Sequence, residues 1–248
     1  MGQTWYIANI DKFEGYNIGK GENFFSKAPF PACDFLMVPA VPIETGGFQI
    51  PGKRLAGSWA GSRIICIGDY ASDWPKSLQG LSTLVELPVN ERFRGYCSDV
   101  FERNISYGYN SEEAYPEDHI WVLRNLSKKE YVRSDRIPIK VDDSSRLEYR
   151  QDADVSDCPG LAFVLISRIC WSPAAPICLA YDKTEELVQG IWAGDKFDIS
   201  FFELVKGEMF DEGWKDVSRR EAEHMHDLLS QHTGTKWPLP DEPKGAEV

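Results

Sequence analysis

Two short copies of one motif carry the residues best suited to chemistry. Residues 57–64 (GSWAGSRI) and 190–197 (GIWAGDKF) share Gly, Trp, Ala and Gly, and each places a cation, Arg63 or Lys196, before an apolar run. A cation there can orient a substrate oxygen, and a carboxylate such as Asp69 can transfer a proton, so these three are the candidate catalytic residues. The structural alternative is a tight glycine turn with each Trp filling the core, and it is the favoured interpretation of the motif itself.

Four phenylalanines are the candidate substrate-binding residues, and all lie in a segment rich in Gly and Pro. They are Phe24, Phe25, Phe30 and Phe48. One interpretation is an aromatic lid over an apolar pocket, because long loops on rigid scaffolds often carry function. The other is a small apolar cluster beneath a long loop, and the sequence does not decide between them.

Motifs for cofactors and metals are missing from the sequence. It contains no phosphate-binding Gly loop after a strand, no Gly-x-Ser-x-Gly and no His-Glu-x-x-His. His224 and His226 lie on a predicted helix, but two residues of helix turn them about 200° apart, so they cannot share a metal from one face. We expect no cofactor and no metal, and we interpret these histidines as part of a surface helix.

The motif pair belongs to a longer internal repeat. Residues 5–16 (WYIANIDKFEGY) and 121–132 (WVLRNLSKKEYV) share Trp, Asn, Lys and Glu in register, and each precedes its copy of the Trp-Ala-Gly motif. We therefore expect an α+β fold of two diverged copies of a strand–strand–helix unit, packed with pseudo-twofold symmetry and with mixed or antiparallel sheets. The expected divisions are a first unit with the Phe-rich insert at 1–110, a second unit at 119–236 and a flexible tail at 237–248.

Hydrophobic periodicity predicts the elements that position these residues. A strand is expected directly after each Trp-Ala-Gly motif. Three further apolar runs are predicted as strands: 35–41, 161–170 and 177–181. Pro75 suits the first turn of one helix, and Ser218 with Glu221 forms a capping box that opens another. Asn9 and Asn125 are expected in hairpin turns, where Asn tolerates left-handed geometry.

Three blocks of the sequence resemble a known group of proteins. They are GQTWYIANIDKFE, SWAGSRIICIGDY and WVLRNLSKKEYVR. Similar blocks occur in a group of fungal proteins with shorter bacterial relatives, which begin with Gly-Gln and an aromatic pair and later carry Trp-Ala-Gly-Asp-Arg before an apolar strand. This chain departs from that pattern at Ser62, where the group has Asp, and at residues 13–15. The resemblance implies a shared fold and no particular chemistry.

Charge and cysteine content limit the possible partners and compartment. The net charge of −12 and the absence of a basic run argue against nucleic acid or an anionic membrane as partner. None of the six cysteines forms Cys-x-x-Cys, and no apolar run reaches the roughly 18 residues of a membrane span. Without a secretion signal at the N-terminus, we expect a cytoplasmic protein with reduced thiols.

Two classes of function fit these observations. In the first, the protein binds an organic small molecule between the units and acts as a cofactor-independent enzyme, such as an isomerase, cyclase, lyase or hydrolase. In the second, it is a non-catalytic module that binds another protein. The Phe-rich insert favours the first class, whereas the lack of a recognisable catalytic set favours the second. We adopt the first as the working hypothesis.

Overall fold

The fold is described from a computed structural model of the chain. The described residues are 3–20, 29–42, 54–71, 73–79, 105–106, 111–116, 119–137, 160–172 and 189–233. Several predictions concern residues outside these ranges: Phe24, Phe25, Phe48, the strand at 177–181 and the tail at 237–248.

Strands and helices alternate along the described residues. The strands are β1 Thr4–Asn9, β2 Glu14–Lys20, β3 Arg54–Leu55, β4 Ser62–Gly68, β5 Ile105–Ser106, β6 Trp121–Asn125, β7 Glu130–Arg133, β8 Cys170–Trp171, β9 Lys196–Phe201 and β10 Lys215–Asp216. The α-helices are α1 Pro29–Leu36, α2 Ser111–Ala114, α3 Leu161–Ile169, α4 Phe202–Asp211 and α5 Ser218–Thr233, and Lys76–Leu78 and Ser134–Arg136 are single 3₁₀ turns. In the described part of the chain, none of the helices combines the length and apolarity needed to cross a bilayer.

One large mixed sheet contains strands from both halves of the sequence. Its order is β10-β7-β6-β9-β4-β1-β2, with β8 joined to β4, and β3 and β5 form a separate two-stranded sheet. The antiparallel pair β4–β9 lies in the middle, with Arg63 opposite Lys196. The hairpins β1–β2 and β6–β7 lie outside this pair, each with its first strand against the central one. The prediction of an α+β fold with a mixed sheet is confirmed.

Short extensions cross between the two halves. After α1, Met37 bridges Ile199 of β9 in parallel. After α3, Cys170 of β8 pairs in parallel with Cys66 of β4. Each half therefore places the residue that follows its helix beside the central strand of the other half.

Both faces of the sheet are covered. Alternate side chains of a strand point to opposite faces, so Ile64 and Cys66 of β4 join a large core with α1, α3 and α5. Ile65 and Ile67 face the other way, into a smaller cluster that includes Leu78. On the β6 side of that second face, α4 supplies the covering side chains: Phe202, Val205 and Met209.

Two of the predicted strands are wrong. Residues 161–169 form helix α3, and the run at 35–41 begins in helix α1, after which only Met37 bridges to the sheet. The apolar residues of α3 are buried around nearly the whole helix, so no polar face marks its helical period. A short apolar run of this kind does not distinguish helix from strand by periodicity.

The predicted helix at Ser218 is confirmed, but its capping box is wrong. The Ser218 hydroxyl accepts a hydrogen bond from the Arg133 backbone N–H at 3.0 Å, and Asp216 Oδ1 accepts one from the Ser218 N–H at 2.9 Å. Glu221 turns into the core and binds Arg168. Asp216 therefore caps the first turn of α5 and leaves Glu221 available for the interior.

The other predicted boundaries are partly confirmed. A strand follows each Trp-Ala-Gly motif, as β4 and β9. The apolar run after the second motif continues past Phe201 as helix α4 rather than as strand. After Pro75, the described residues contain only the 3₁₀ turn Lys76–Leu78, and the rest of that predicted helix lies outside them.

Candidate functional site

Each Trp-Ala-Gly motif forms a turn that buries its Trp. The Trp59 indole N–H donates to Glu14 Oε2 at 2.6 Å, and that of Trp192 donates to Glu130 Oε2 at 3.2 Å. Both rings are almost fully buried. Each Trp is therefore held between the core and a carboxylate at the start of a hairpin's second strand.

The hairpin turns are joined to these motifs by their lysines. Asn9 Oδ1 accepts the Lys12 backbone N–H at 3.0 Å, and Asn125 Oδ1 accepts that of Lys128 at 3.1 Å. The Lys12 and Lys128 ammonium groups donate to backbone carbonyls beside the two Trp residues. The hairpin turns are confirmed, but the left-handed residues are Phe13 and Lys129, at φ 55° and 51°, rather than the asparagines.

Arg63 and Lys196 are brought together by the central strand pair. They lie directly opposite each other, so their side chains project from the same face of the sheet. The Asp11 carboxylate accepts hydrogen bonds from the Arg63 backbone N–H, at 2.8 Å, and from its guanidinium. About a third of each side chain in this ion pair is exposed, so the pair contributes at most about 1 kcal/mol.

Asp69 is not brought to these two cations. It follows the far end of β4, and six residues of strand separate it from Arg63 by about 20 Å. Its carboxylate accepts the Thr4 backbone N–H at 3.1 Å, and its own N–H donates to the Thr4 carbonyl at 2.9 Å. These two bonds attach Asp69 to Thr4, the first residue of β1. Phe30 lies in helix α1, whose first residues have no described side-chain positions.

A partly buried charged cluster that the sequence did not predict lies on the opposite face of the sheet. We call it the Arg168 cluster, and its members are Arg168, Glu221, Arg220, Glu130, Trp192 and His224. Arg168 Nε donates to Glu221 Oε2 at 2.6 Å, and Arg220 Nε donates to the other Glu221 oxygen at 2.7 Å. The Arg220 terminal nitrogens bind the two Glu130 oxygens at 3.2 and 3.1 Å. The Arg220 guanidinium also lies over the Trp192 ring, 6.0 Å from its centroid.

Arg168 has donors that bind no acceptor among the described residues. The residue is 5% exposed and Glu221 is 0% exposed. Beyond the bond from Nε to Glu221, neither terminal nitrogen of the Arg168 guanidinium has an acceptor among the described residues. Buried charged groups are normally fully hydrogen-bonded, so this cation can accept a further anionic partner.

His224 lies in the field of the same cations. Burial, followed by the positive charges of Arg168 and Arg220, lowers the pKa of His224 to about 3. Its Nε2 is buried and has no hydrogen-bond partner. Burial alone would raise the pKa of Glu130, but the Arg220 hydrogen bonds and charge outweigh it and lower that pKa. At neutral pH the cluster thus holds two cations, two carboxylates and a neutral imidazole.

A second buried arginine shows what a fully paired cluster looks like here. Arg124 Nε and Nη2 bind the two Asp198 oxygens at 2.8 and 2.7 Å, and Nη1 binds Glu208 of α4 at 3.2 Å. Its guanidinium lies 5.4 Å from the Trp214 ring centroid. Every nitrogen of Arg124 has an acceptor, and the arrangement attaches α4 to the sheet.

Phe35 in the first half occupies the position that Arg168 occupies in the second half, beside the Trp of the motif. The Trp59 backbone N–H donates to the Phe35 carbonyl at 2.7 Å, and the Trp192 backbone N–H donates to the Arg168 carbonyl at 2.9 Å. Phe35 stacks on Trp59 with 4.1 Å between ring centroids. Sequence reasoning missed Arg168 because its segment was predicted as a strand. The available signal was that Arg168 is the only charged residue in LAFVLISRI.

Among the described residues, no three His, Cys, Asp or Glu side chains are grouped so as to hold a metal ion. Comparison of the chain with protein-family models, with curated proteins and with solved structures finds no match.

Proposed function

We propose that the chain consists of two diverged copies of one unit, at 1–110 and 119–236, related by a pseudo-twofold axis between β4 and β9. Reciprocal hydrogen bonds across this centre support the proposal. The Gly61 N–H donates to the Phe197 carbonyl at 2.7 Å, and the Gly194 N–H donates to the Ile64 carbonyl at 2.9 Å. Equivalent positions in the repeat thus make equivalent bonds.

We further propose that the protein binds a small organic anion and acts on it without a cofactor. The observation that carries this proposal is the buried Arg168 guanidinium, whose two terminal nitrogens have no acceptor among the described residues. A planar guanidinium binds a carboxylate or phosphate through two parallel hydrogen bonds, and such bonds are stronger where water is excluded.

The structural alternative is a buried ion pair that only attaches α3 to α5. Arg124 meets that description, because all its nitrogens are bound by Asp198 and Glu208. Arg168 differs in having one carboxylate, Glu221, which it shares with Arg220. An interior cation that needs only to anchor a helix gains nothing from unpaired donors, which favours a ligand-binding role.

His224 is the group proposed to move a proton. Its pKa is low first because the ring is largely buried and second because Arg168 and Arg220 repel a proton from it. An anion bound to Arg168 cancels part of that positive field and raises the pKa of His224 toward its ordinary value. Ligand binding thereby makes the imidazole a stronger base, as proton transfer in an isomerase or lyase requires.

Arg63 and Lys196 are a second proposed contact region, on the other face of the sheet. Their proximity on β4 and β9 supports a role for both in binding. Asp69 is proposed there only as the anchor of β1. We also propose a cytoplasmic location, which the buried thiols of Cys66 and Cys170, neither of them in a disulfide, favour.

A protein-binding module is the second candidate function. Two side chains of α4 favour it, because Leu204 is 64% and Phe210 63% exposed. Exposed apolar residues mark interaction surfaces only when they are contiguous, and single ones are common on any surface. This candidate replaces the first if the Arg168 cluster binds no small molecule.

The test is metabolite capture by the purified protein, with the bound compounds identified by mass spectrometry. Wild type should enrich an organic carboxylate or phosphate, and Arg168→Lys should lose it, because Lys keeps the charge beside Glu221 but lacks the planar fork. Arg219→Lys is the matched control, since Arg219 points about 200° around α5 from Glu221 and forms an exposed pair with Glu223. Capture of no anion, or equal capture by wild type and Arg168→Lys, would contradict the proposal.

A further inference from the structure

Asp195 of the second Trp-Ala-Gly motif fills a small polar site between the motif and its hairpin. One oxygen, Oδ2, accepts the Asn125 side-chain N–H at 2.8 Å and lies 3.1 Å from the Lys128 ammonium. Asp195 and Asn125 are both nearly fully buried. A single negative oxygen therefore satisfies two donors at once.

The first half has the same donors without this carboxylate. Ser62 stands at the position equivalent to Asp195, and its side chain is too short to reach both groups. Asn9 is 0% exposed, and its Nδ2 is buried with no hydrogen-bond partner. Its orientation is fixed, because Oδ1 accepts the Lys12 backbone N–H.

Lys12 occupies the position in the first hairpin that Lys128 occupies in the second. Each ammonium donates to the carbonyl of the residue that precedes Trp in its own half, Ser58 or Ile191. No carboxylate pairs with Lys12 among the described residues, whereas Lys128 pairs with Asp195. The Ser58 hydroxyl nearby is also buried without a partner.

We propose that a small monoanion binds between Asn9 Nδ2 and Lys12 Nζ, in the position that the Asp195 carboxylate oxygen holds in the other half. The ligand is a halide such as chloride or a small carboxylate such as formate, because in the other half one carboxylate oxygen meets both donors. A water molecule could also satisfy Asn9, but only an anion is attracted by the charge of the Lys12 ammonium. The site is distinct from the Arg168 cluster, so its failure would leave the proposed function unaffected.

The test is thermal unfolding in sodium chloride, sodium formate and sodium gluconate at equal ionic strength. Gluconate is too large to enter and serves as the reference. Wild type should melt a few degrees higher in chloride or formate, with saturation, because an ion that binds only the folded state raises its stability. The chloride and formate arms distinguish a halide site from a carboxylate site.

Three variants separate this site from general salt effects. Ser62→Asp supplies the missing carboxylate, so it should melt higher than wild type in gluconate and should lose the anion response. Asp195→Ser copies the first half and should gain a second response. Lys12→Met changes an exposed residue, so it should fold and should lose the response even if Ser62→Asp does not fold.

Three results would overturn the proposal. Wild type could show no difference between the salts, or Ser62→Asp could respond to chloride and formate as wild type does. Retention of the full response by Lys12→Met would also overturn it. In each case water, rather than an anion, would occupy the place between Asn9 and Lys12.

Discussion

At the scale of single residues, His224 couples the Arg168 cluster to pH. In the folded protein its pKa is about 3, against an ordinary value of 6.5. Between these values the unfolded chain binds a proton and the folded protein does not, so acid favours unfolding. The stability that the neutral imidazole provides is complete above pH 6.5 and is lost as the pH falls toward 3.

His224→Gln should therefore flatten the pH dependence of stability. One proton changes the free energy of unfolding by about 1.4 kcal/mol per pH unit, so from pH 6 to pH 5 wild type should lose up to about that much more than the variant. Urea unfolding at both pH values measures the difference. All carboxylates and the other three histidines are the same in both proteins, so the difference between the two losses isolates His224. Equal losses in the two proteins would show that His224 titrates normally in the fold.

At the scale of elements, the two Trp-Ala-Gly turns differ in what packs on them. Gly61 and Gly194 have nearly the same left-handed φ, 79° and 80°. A Cβ at Gly61 would meet nothing within 4 Å, whereas one at Gly194 would lie 2.5 Å from Leu78 Cγ and 2.7 Å from Ser77 Oγ. The 3₁₀ turn at Lys76–Leu78 therefore packs on the second motif, with the Ser77 hydroxyl donating to the Ala193 carbonyl at 2.5 Å.

Alanine at these glycines should separate backbone strain from packing. Gly61→Ala should cost about 1–2 kcal/mol, because only the left-handed conformation disfavours it. Gly194→Ala should cost a further 1–3 kcal/mol or so, because the added methyl must displace Leu78. Denaturant unfolding of both variants gives the comparison. Equal costs would mean that the 3₁₀ turn does not pack on this motif in solution.

The sequence predicts elements well where polar and apolar residues alternate and poorly where they do not. Helix α5 has a charged face and was predicted from Ser218 onward. Helix α3 is apolar on nearly all sides, so it was predicted as a strand. The same error hid Arg168, whose role depends on Glu221, 53 residues away in the sequence. Local patterns carry no information about such a contact.

At the scale of the whole molecule, the two halves share one sheet. The pair β4–β9 joins them directly, and β8 and Met37 each cross to the other half. The two pairs of matching motifs were visible in the sequence, because they rest on residue identities in the same order. The pairing of Met37 with β9 and of β8 with β4 could not be predicted, since nothing in the sequence specifies which of the two similar central strands each residue joins.

The pairing of β8 with β4 also buries two thiols, those of Cys66 and Cys170, and so affects their reactivity. Cys66 and Cys170 are paired across β4 and β8 and fully buried. Burial, followed by the hydrogen bond with Cys170, raises the pKa of Cys66. Because the thiolate is the reactive form, we expect Cys33, Cys66 and Cys170 to resist alkylation in the native protein. All six cysteines should react after unfolding without reductant.

Peptide mapping after iodoacetamide treatment, with and without urea, measures this at each cysteine. Rapid labelling of Cys66 in the native protein would contradict the packing of β8 on β4. Fewer than six reactive thiols in the unfolded protein would contradict the proposed cytoplasmic location.

The proposed function depends on the Arg168 guanidinium holding the anionic group of a ligand. The most direct test is calorimetric titration of the captured anion into wild type and into Arg168→Gln/Glu221→Gln. The double variant removes the guanidinium without leaving a buried carboxylate short of a cation. We predict that its Kd rises at least about 100-fold, consistent with the loss of two charge-assisted hydrogen bonds. An unchanged Kd in a variant that still folds would contradict the claim.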